Sequence, residues 1–435
     1  MNRRVVVTGV GIASPLGIGA EAFWREWNAG TSGLGPIRQF DAGGFGCRIA
    51  GEVPPFKIAD FLPASYRKAA KLMVRDTHLA SIAAHQAFET AGLASRATEA
   101  ALADGDRRFN CHVGAGLISI DLDELTASML ASQRDAQLDL KLWGAGGMEQ
   151  LTPLWLLKYL PNMVASHLTI IHGLTGASNT LTAAEASGHL AIGEAFRAIQ
   201  RGDADRALCG GAESKINPLG LARQSLLNRL TEAANDSPKT AVRPFAEAAQ
   251  GSVLGEGAAM LILEELDLAR ERGAPIYAEL SGFGVSQEPY RTRQAPCVLP
   301  SYRTALRAAL READVKASDV NVLAPCGLGC VAEDRAERIE LEAVFEGWLS
   351  DLPLLLLKPQ VGNLSAGNAL EAAAAVLTLS RQIVPPHARI GRLAASASWH
   401  GSHDPPVSAL ETAVCSTHSL MGQNAALVFR RFKDS

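Results

Sequence analysis

The chain has 435 residues, of which 47% are hydrophobic and 20% charged, with 40 glycines and few aromatics. That balance suits small-residue packing of helices on sheets and excludes a disordered or fibrous protein. A formal net charge of -4 with no Lys/Arg-rich run leaves no basic field for a phosphate backbone, so nucleic acid is excluded as a ligand.

No run of about 18 uninterrupted apolar residues is available for a membrane span, and the amino terminus lacks the apolar stretch of a secretion signal. A soluble, cytoplasmic protein with no membrane partner is expected. The seven cysteines are odd in number and scattered, so they form no disulfide framework and should be reduced thiols.

In chain order, the Val-rich residues 4–10, running into Gly9 and Gly11, predict a buried strand entering a turn. Ser14 stands where a dinucleotide loop would need its third glycine, and Pro15 follows, so a nucleotide site is rejected. A helix is predicted from about Pro63 to Ala91, then a strand in RRFNCHVGAGLISI, and irregular helical structure over 121–170. Gly173 to Ala183 brings a second strand up to Glu185. In the helix after it, Ala191, Ala195 and Ala198 make one apolar row and Ile192, Phe196 and Ile199 another, with Glu194, Arg197 and Arg201 on the remaining face. That helix should be buried on most sides.

RALCGGAES reads as a strand, RPFAEAAQGSVLGEGAAMLILEEL as a loop leading to a strand, and PIYAELSGFGVS as the start of a second α/β half. This half has a strand at Val320–Ala324, a Gly-rich turn, a helix near Asp334–Phe345, a turn at Gly362, an Ala-rich helix from about Ala369 and a last strand in NAALVFRRF. Alternating strands and helices in two comparable parts, 1–257 and 258–435, predict one layered α/β unit built by duplication.

The blocks RVVVTGVGIASPLG, GEAFRAIQRGDADRALCGGAES, GSVLGEGAAMLILEELDLARERG, Lys358 with Gly362, IVPPH and NAALVFRR occur in one order across nearly the whole chain. Together they resemble the β-ketoacyl-acyl-carrier-protein synthases, the condensing enzymes of fatty acid and polyketide assembly. The resemblance implies a thiolase-like, duplicated αβαβα five-layered fold, an obligate dimer and no cofactor.

An active member of this family attaches the acyl group to a cysteine at the start of a buried helix and uses two histidines in later Gly-rich loops. Here the nucleophile turn reads Ala184-Glu185-Ala186-Ser187, and a carboxylate cannot form the acyl thioester. Counting back from Asp334 and Glu337 in PCGLGCVAEDRAE puts Cys326 at the first histidine position. After the retained Lys358 and Gly362, the second histidine position holds Asn363, which cannot act as acid or base. The end loop that gates acyl admission reads LMGQN, with Leu420 and Met421 in place of the usual residues.

Three concerted departures imply a subunit similar to the chain length factors, which pair with an active ketosynthase and shape the pocket in which a carrier-bound polyketide or polyene grows. In those subunits glutamine usually replaces the nucleophile, so the charge of Glu185 sets this chain apart. Pocket candidates are Ile118, Ile120, Leu122, Met129, Leu420 and Met421, against the plain alternative that apolar rows are core.

A second reading keeps an enzyme, with Glu185 as a base in decarboxylating malonyl-carrier protein, although a helix N-terminus that holds the carboxylate ionised would also make it repel a malonate. A third is a non-catalytic homodimer that binds acyl groups or carrier protein. The structural alternative for Glu185 is a bond to backbone amides or to Lys358. Cys326 is also a possible displaced nucleophile, and with Cys330 it forms a CxxxC pair that lacks the further ligands of a metal site. His189 reads as core, and His400, His403 and Asp404 in WHGSHDPP as solvated loop residues, so no metal is expected.

Overall fold

The Val-rich amino-terminal run forms strand β1 (Val5–Ser14), and every residue in it is buried. The computed structural model describes residues 3–97, 108–289, 299–385, 389–390 and 409–433. His400, His403, Asp404 and Cys297 lie outside the described residues. The remaining strands are β2 (Phe109–Ala115), β3 (Ser178–Leu181), β4 (Arg206–Ser214), β5 (Leu254–Glu265), β6 (Ala278–Gln287), β7 (Val322–Ala324), β8 (Pro353–Leu354), β9 (Thr412–His418) and β10 (Gln423–Arg430). The main helices are α1 (Arg75–Thr90), α2 (Asn162–His172), α3 (Ser187–Gln200), α4 (Tyr302–Glu312), α5 (Val331–Phe345) and α6 (Ala369–Arg381).

Duplication is written in the strand pairings. In the first half β1 pairs antiparallel with β5 and β5 with β4, while β4–β2 and β2–β3 are parallel. In the second half β6–β10 and β10–β9 are antiparallel, and β9–β7 and β7–β8 are parallel. The two sets join where Val5–Val7 of β1 pair with Ala278–Leu280 of β6. The division at residue 257 falls inside β5, whose partners β1 and β4 both belong to the first half.

The same packing device occurs in both halves. A side chain at Gly9 or Gly11 would run into the carbonyls of Ala87 and Ala83 on α1, and one at Gly282 or Gly284 into those of Ala309 and Ala305 on α4. Two glycines spaced by one residue let an outer helix lie directly on its strand. Between the sheets, α3 rests on β2 and β4, and α6 on β5 and β9, and the two helices touch each other. The result is a helix–sheet–helix–sheet–helix stack, and the rows predicted to be buried on α3 are buried.

Two expectations change. The helix predicted from Pro63 begins only at Arg75, because residues 58–72 form short 3-10 turns in which Leu62 alone is buried, so they offer no continuous apolar stripe to dock. Strand β9 has no counterpart among the predicted elements. Both of its faces are buried, so TAVCSTH shows no alternation to read. No helix among the described residues is long and apolar enough to cross a membrane.

Candidate functional site

Where β3 runs into α3, the chain makes a tight turn at Ala184–Ala186, with Ala184 in the left-handed region at φ 48°. The turn swings the Glu185 side chain inward, where it is 2% exposed. Its Oε1 accepts hydrogen bonds from Arg229 (2.9 Å) and from Asn363 Nδ2 (3.1 Å). Arg229 is itself buried and grips Glu333 on α5 with Nε and Nη2, at 3.0 and 2.8 Å. One guanidinium thus serves two carboxylates.

Burial alone would raise the Glu185 pKa, but the Arg229 guanidinium, and after it Lys215, outweigh burial and hold the carboxyl down at about 2. The charge is therefore permanent at physiological pH. Lys358 is not its partner, contrary to the structural alternative for Glu185. The Lys358 ammonium binds the Cys326 carbonyl and the Glu371 carboxylate, all of them buried. Burial disfavours the Lys358 charge, yet the Glu371 carboxylate more than offsets this and pushes its pKa up.

Asn363 follows Gly362, whose φ of 78° turns the chain at the end of the short Lys358–Val361 helix. Besides bonding Glu185, its Oδ1 accepts from the Ser365 amide at 3.0 Å and from Asn368 at 3.3 Å, which fixes the amide orientation. Cys326 lies in the turn after β7. Asp334 accepts the amides of Leu328 and Gly329, and Glu337 accepts those of Cys326 and Gly327 at 2.7 and 2.9 Å, so these two acids hold the turn closed from within.

All three positions singled out in the sequence converge. Glu185 and Asn363 bond directly, and Thr417 Oγ1 on β9 spans 3.4 Å to the Glu185 carbonyl and 3.7 Å to Cys326 Sγ. The pocket candidates do not share one setting. Ile118 is in the core and Ile120 packs at its edge, Met129 is half-buried, and Leu122, Leu420 and Met421 are exposed. His189 is buried on α3 and has no hydrogen-bond partner for either ring nitrogen.

Sequence reasoning missed Arg229, Thr417 and His418. Arg229 sits in an irregular loop with no pattern to mark it, whereas His418 is only two residues before the gate residue Leu420 and was within reach. His418 is buried with its ring edge on Tyr302, at 5.8 Å between centroids, and its Nε2 is 3.6 Å from Glu337 with no hydrogen-bond partner. Burial opposes a charge on the ring, yet Cys326 and Glu337 prevail and raise its pKa well above the usual imidazole value.

Among the described residues, one group of ligand-type atoms could hold a metal: those of Cys326, Glu337 and His418, all within 4.8 Å of one another. Glu337 is already committed. Its oxygens accept from the Tyr302 hydroxyl and from two backbone amides, which is the setting of a structural acceptor rather than a free ligand. The six described cysteines are free thiols.

The chain belongs to the β-ketoacyl synthase family: residues 2–269 match the family's N-terminal domain and 277–390 its C-terminal domain. Its fold is accordingly the thiolase-like ketosynthase fold. It is similar to the 3-oxoacyl-[acyl-carrier-protein] synthase 2 of Vibrio harveyi, 32% identical over 100% of both chains, and to that of Synechocystis, 34% identical over 88% of this chain and 87% of the relative. Among solved structures it resembles the ishigamide ketosynthase/chain length factor, with a TM-score of 0.81 and 26% identity over 100% of both chains. A β-ketoacyl synthase from Burkholderia phymatum matches with a TM-score of 0.83 and 26% identity over 99% of this chain and 100% of that one. A type II polyketide ketosynthase in complex with its acyl-carrier protein and bound to the hexaketide matches with a TM-score of 0.75 and 25% identity over 99% and 100%.

Proposed function

We propose that this chain is a non-condensing ketosynthase-like subunit that pairs with an active ketosynthase and helps shape the pocket for a carrier-bound polyketide or polyene. The observation that carries this reading is the Glu185–Arg229 pair. At the position where the family has its thiol nucleophile stands an ionised carboxylate, engaged by a buried guanidinium and by the amide of Asn363. A carboxylate bound in this way can neither form a thioester nor receive an acyl group in an exchange between thiols.

Two features favour a partner subunit. Strand β3 lies at the outer edge of the sheet and pairs only with β2 among the described residues, which leaves its other side free for another chain. The stretch between β2 and α2 exposes Leu117, Leu130, Leu140, Met148, Leu154 and Leu156, more large apolar side chains than an isolated surface needs. In this reading Ile118 and Ile120 stiffen the wall behind that surface and Leu420 and Met421 border the acyl route.

The reading of Glu185 as the base of a malonyl-carrier decarboxylase is weaker. A carboxyl held at about 2 is a poor proton acceptor, and its charge opposes the approach of a malonate carboxylate. Co-expression with an active ketosynthase from the same genome tests the proposal: a heterodimer whose product length differs from that of the ketosynthase alone is expected. A stable homodimer that ignores the ketosynthase, or carbon dioxide release from malonyl-carrier protein that disappears in Glu185→Gln, would overturn it.

A further inference from the structure

Beneath the surface turn at Ser419–Gly422 lies a pair of groups that the non-condensing reading does not use. Cys326 Sγ, a ring nitrogen of His418 and a carboxylate oxygen of Glu337 are mutually within 4.8 Å, and all three residues are buried. Among the described residues the sulfur's hydrogen-bond partners are weak ones, the His418 carbonyl at 3.8 Å and Thr417 Oγ1 at 3.7 Å. Among the described residues His418 Nε2 has no hydrogen-bond partner, although the ring lies edge-on to Tyr302. Glu337 is fixed by Tyr302 and two amides, so its charge stays beside the ring.

We propose that Cys326 and His418 form a thiol–imidazole pair that accepts an acyl group from a carrier-protein thioester and holds it as a Cys326 thioester. This rests on the proposed role of the chain beside a carrier-loaded ketosynthase. A thiol next to a base, with the base beside a fixed acid, is the arrangement that activates sulfur for attack at a carbonyl. The Cys326 proton passes to His418, and the sulfur forms a bond to the thioester carbonyl carbon. The bond from that carbon to the carrier's thiol sulfur then breaks, and the leaving thiolate takes the proton from His418. The step is an exchange of one thioester for another and needs no oxidant, reductant or metal.

Other buried thiols lack this setting. Cys111 is pushed up to about 12 by burial, and the half-buried Cys330 likewise, by desolvation and then by Glu333. Leu420 and Met421, 49% and 65% exposed, stand on the turn directly after His418. Their apolar side chains suit an alkyl chain rather than a polar acyl group.

The test is to incubate the full-length protein, alone and with its ketosynthase, with octanoyl-N-acetylcysteamine and separately with octanoyl-carrier protein, and to follow intact mass. One octanoyl group per chain, released by hydroxylamine and mapped to Cys326, is expected. Cys326→Ser should take up none, Cys330→Ser should label as the wild type does, and His418→Gln, which keeps polarity but cannot relay the proton, should label about a hundredfold more slowly. Label on Cys330 or Cys297, no label on a folded protein, an unslowed His418→Gln, or stoichiometric zinc bound through Cys326 would each overturn the inference. If Cys326 stays unlabelled while the heterodimer still sets product length, the acyl-holding pair fails and the proposed function stands. Labelling of Cys326 without a heterodimer would sink the proposed function and leave the thiol–imidazole chemistry in place.

Discussion

Glu185 and Arg229 form a buried ion pair in which Glu333 is the third member, and the cost of breaking it depends on which member is removed. Arg229→Met leaves the buried Glu185 carboxylate and the half-buried Glu333 without their guanidinium and should lower unfolding free energy by about 3 to 5 kcal/mol. Glu185→Gln leaves Arg229 paired with Glu333 and should cost only about 1 to 3 kcal/mol, read as urea midpoints of the two variants. The pH dependence has a definite sign. Because the folded carboxyl sits near 2, below its unfolded value of 4.5, the stabilisation is complete above pH 4.5 and is lost as pH falls from there toward 2. The wild type should therefore converge on Glu185→Gln in acid, whereas a gap unchanged between pH 6 and pH 3 would show that the carboxylate is not held by charge.

At the scale of elements, the paired glycines of β1 and β6 make a prediction that spans both halves. Gly11→Ala and Gly284→Ala each force α1 or α4 off its strand, and each should cost at least about 1 to 3 kcal/mol. Thermal melting of the two variants checks this, and a loss in one half alone would contradict equivalent packing. The sequence made these elements legible where a period survived: β1, the rows of Ala191 and Ile192 on α3, and the Ala-rich α6 lie near their predicted places. It was silent where burial is two-sided, as in β9, and misleading at Pro63–Leu72, where helix-compatible residues form short 3-10 turns that lay Tyr66 and Ala70 on a small cluster without a continuous apolar stripe. The site followed the same rule. Glu185, Cys326 and Asn363 stand at fixed offsets from glycines and acids, so counting finds them, but Arg229 reaches Glu185 across 44 positions by tertiary folding alone.

At the scale of the molecule, the duplicated halves close each other's interior sheet faces through α3 and α6, and among the described residues they leave the β3 edge and the apolar stretch before α2 uncovered. If that surface is where the ketosynthase sits, Leu140→Glu with Leu156→Glu should weaken association at least about tenfold, because burying an unpaired charge in an interface is costly, while the melting temperature of the isolated chain stays put. Size-exclusion and melting measurements on the double variant separate an interface effect from a folding effect. The central claim, that this chain supports condensation without performing it, is tested most directly in the reconstituted complex with nucleophiles removed one subunit at a time. Replacing the partner ketosynthase's catalytic cysteine with alanine should abolish carbon–carbon bond formation, whereas Glu185→Gln in this chain should leave condensation running. Condensation that survives loss of the partner's cysteine, or stops with Glu185→Gln in an intact complex, would contradict the account.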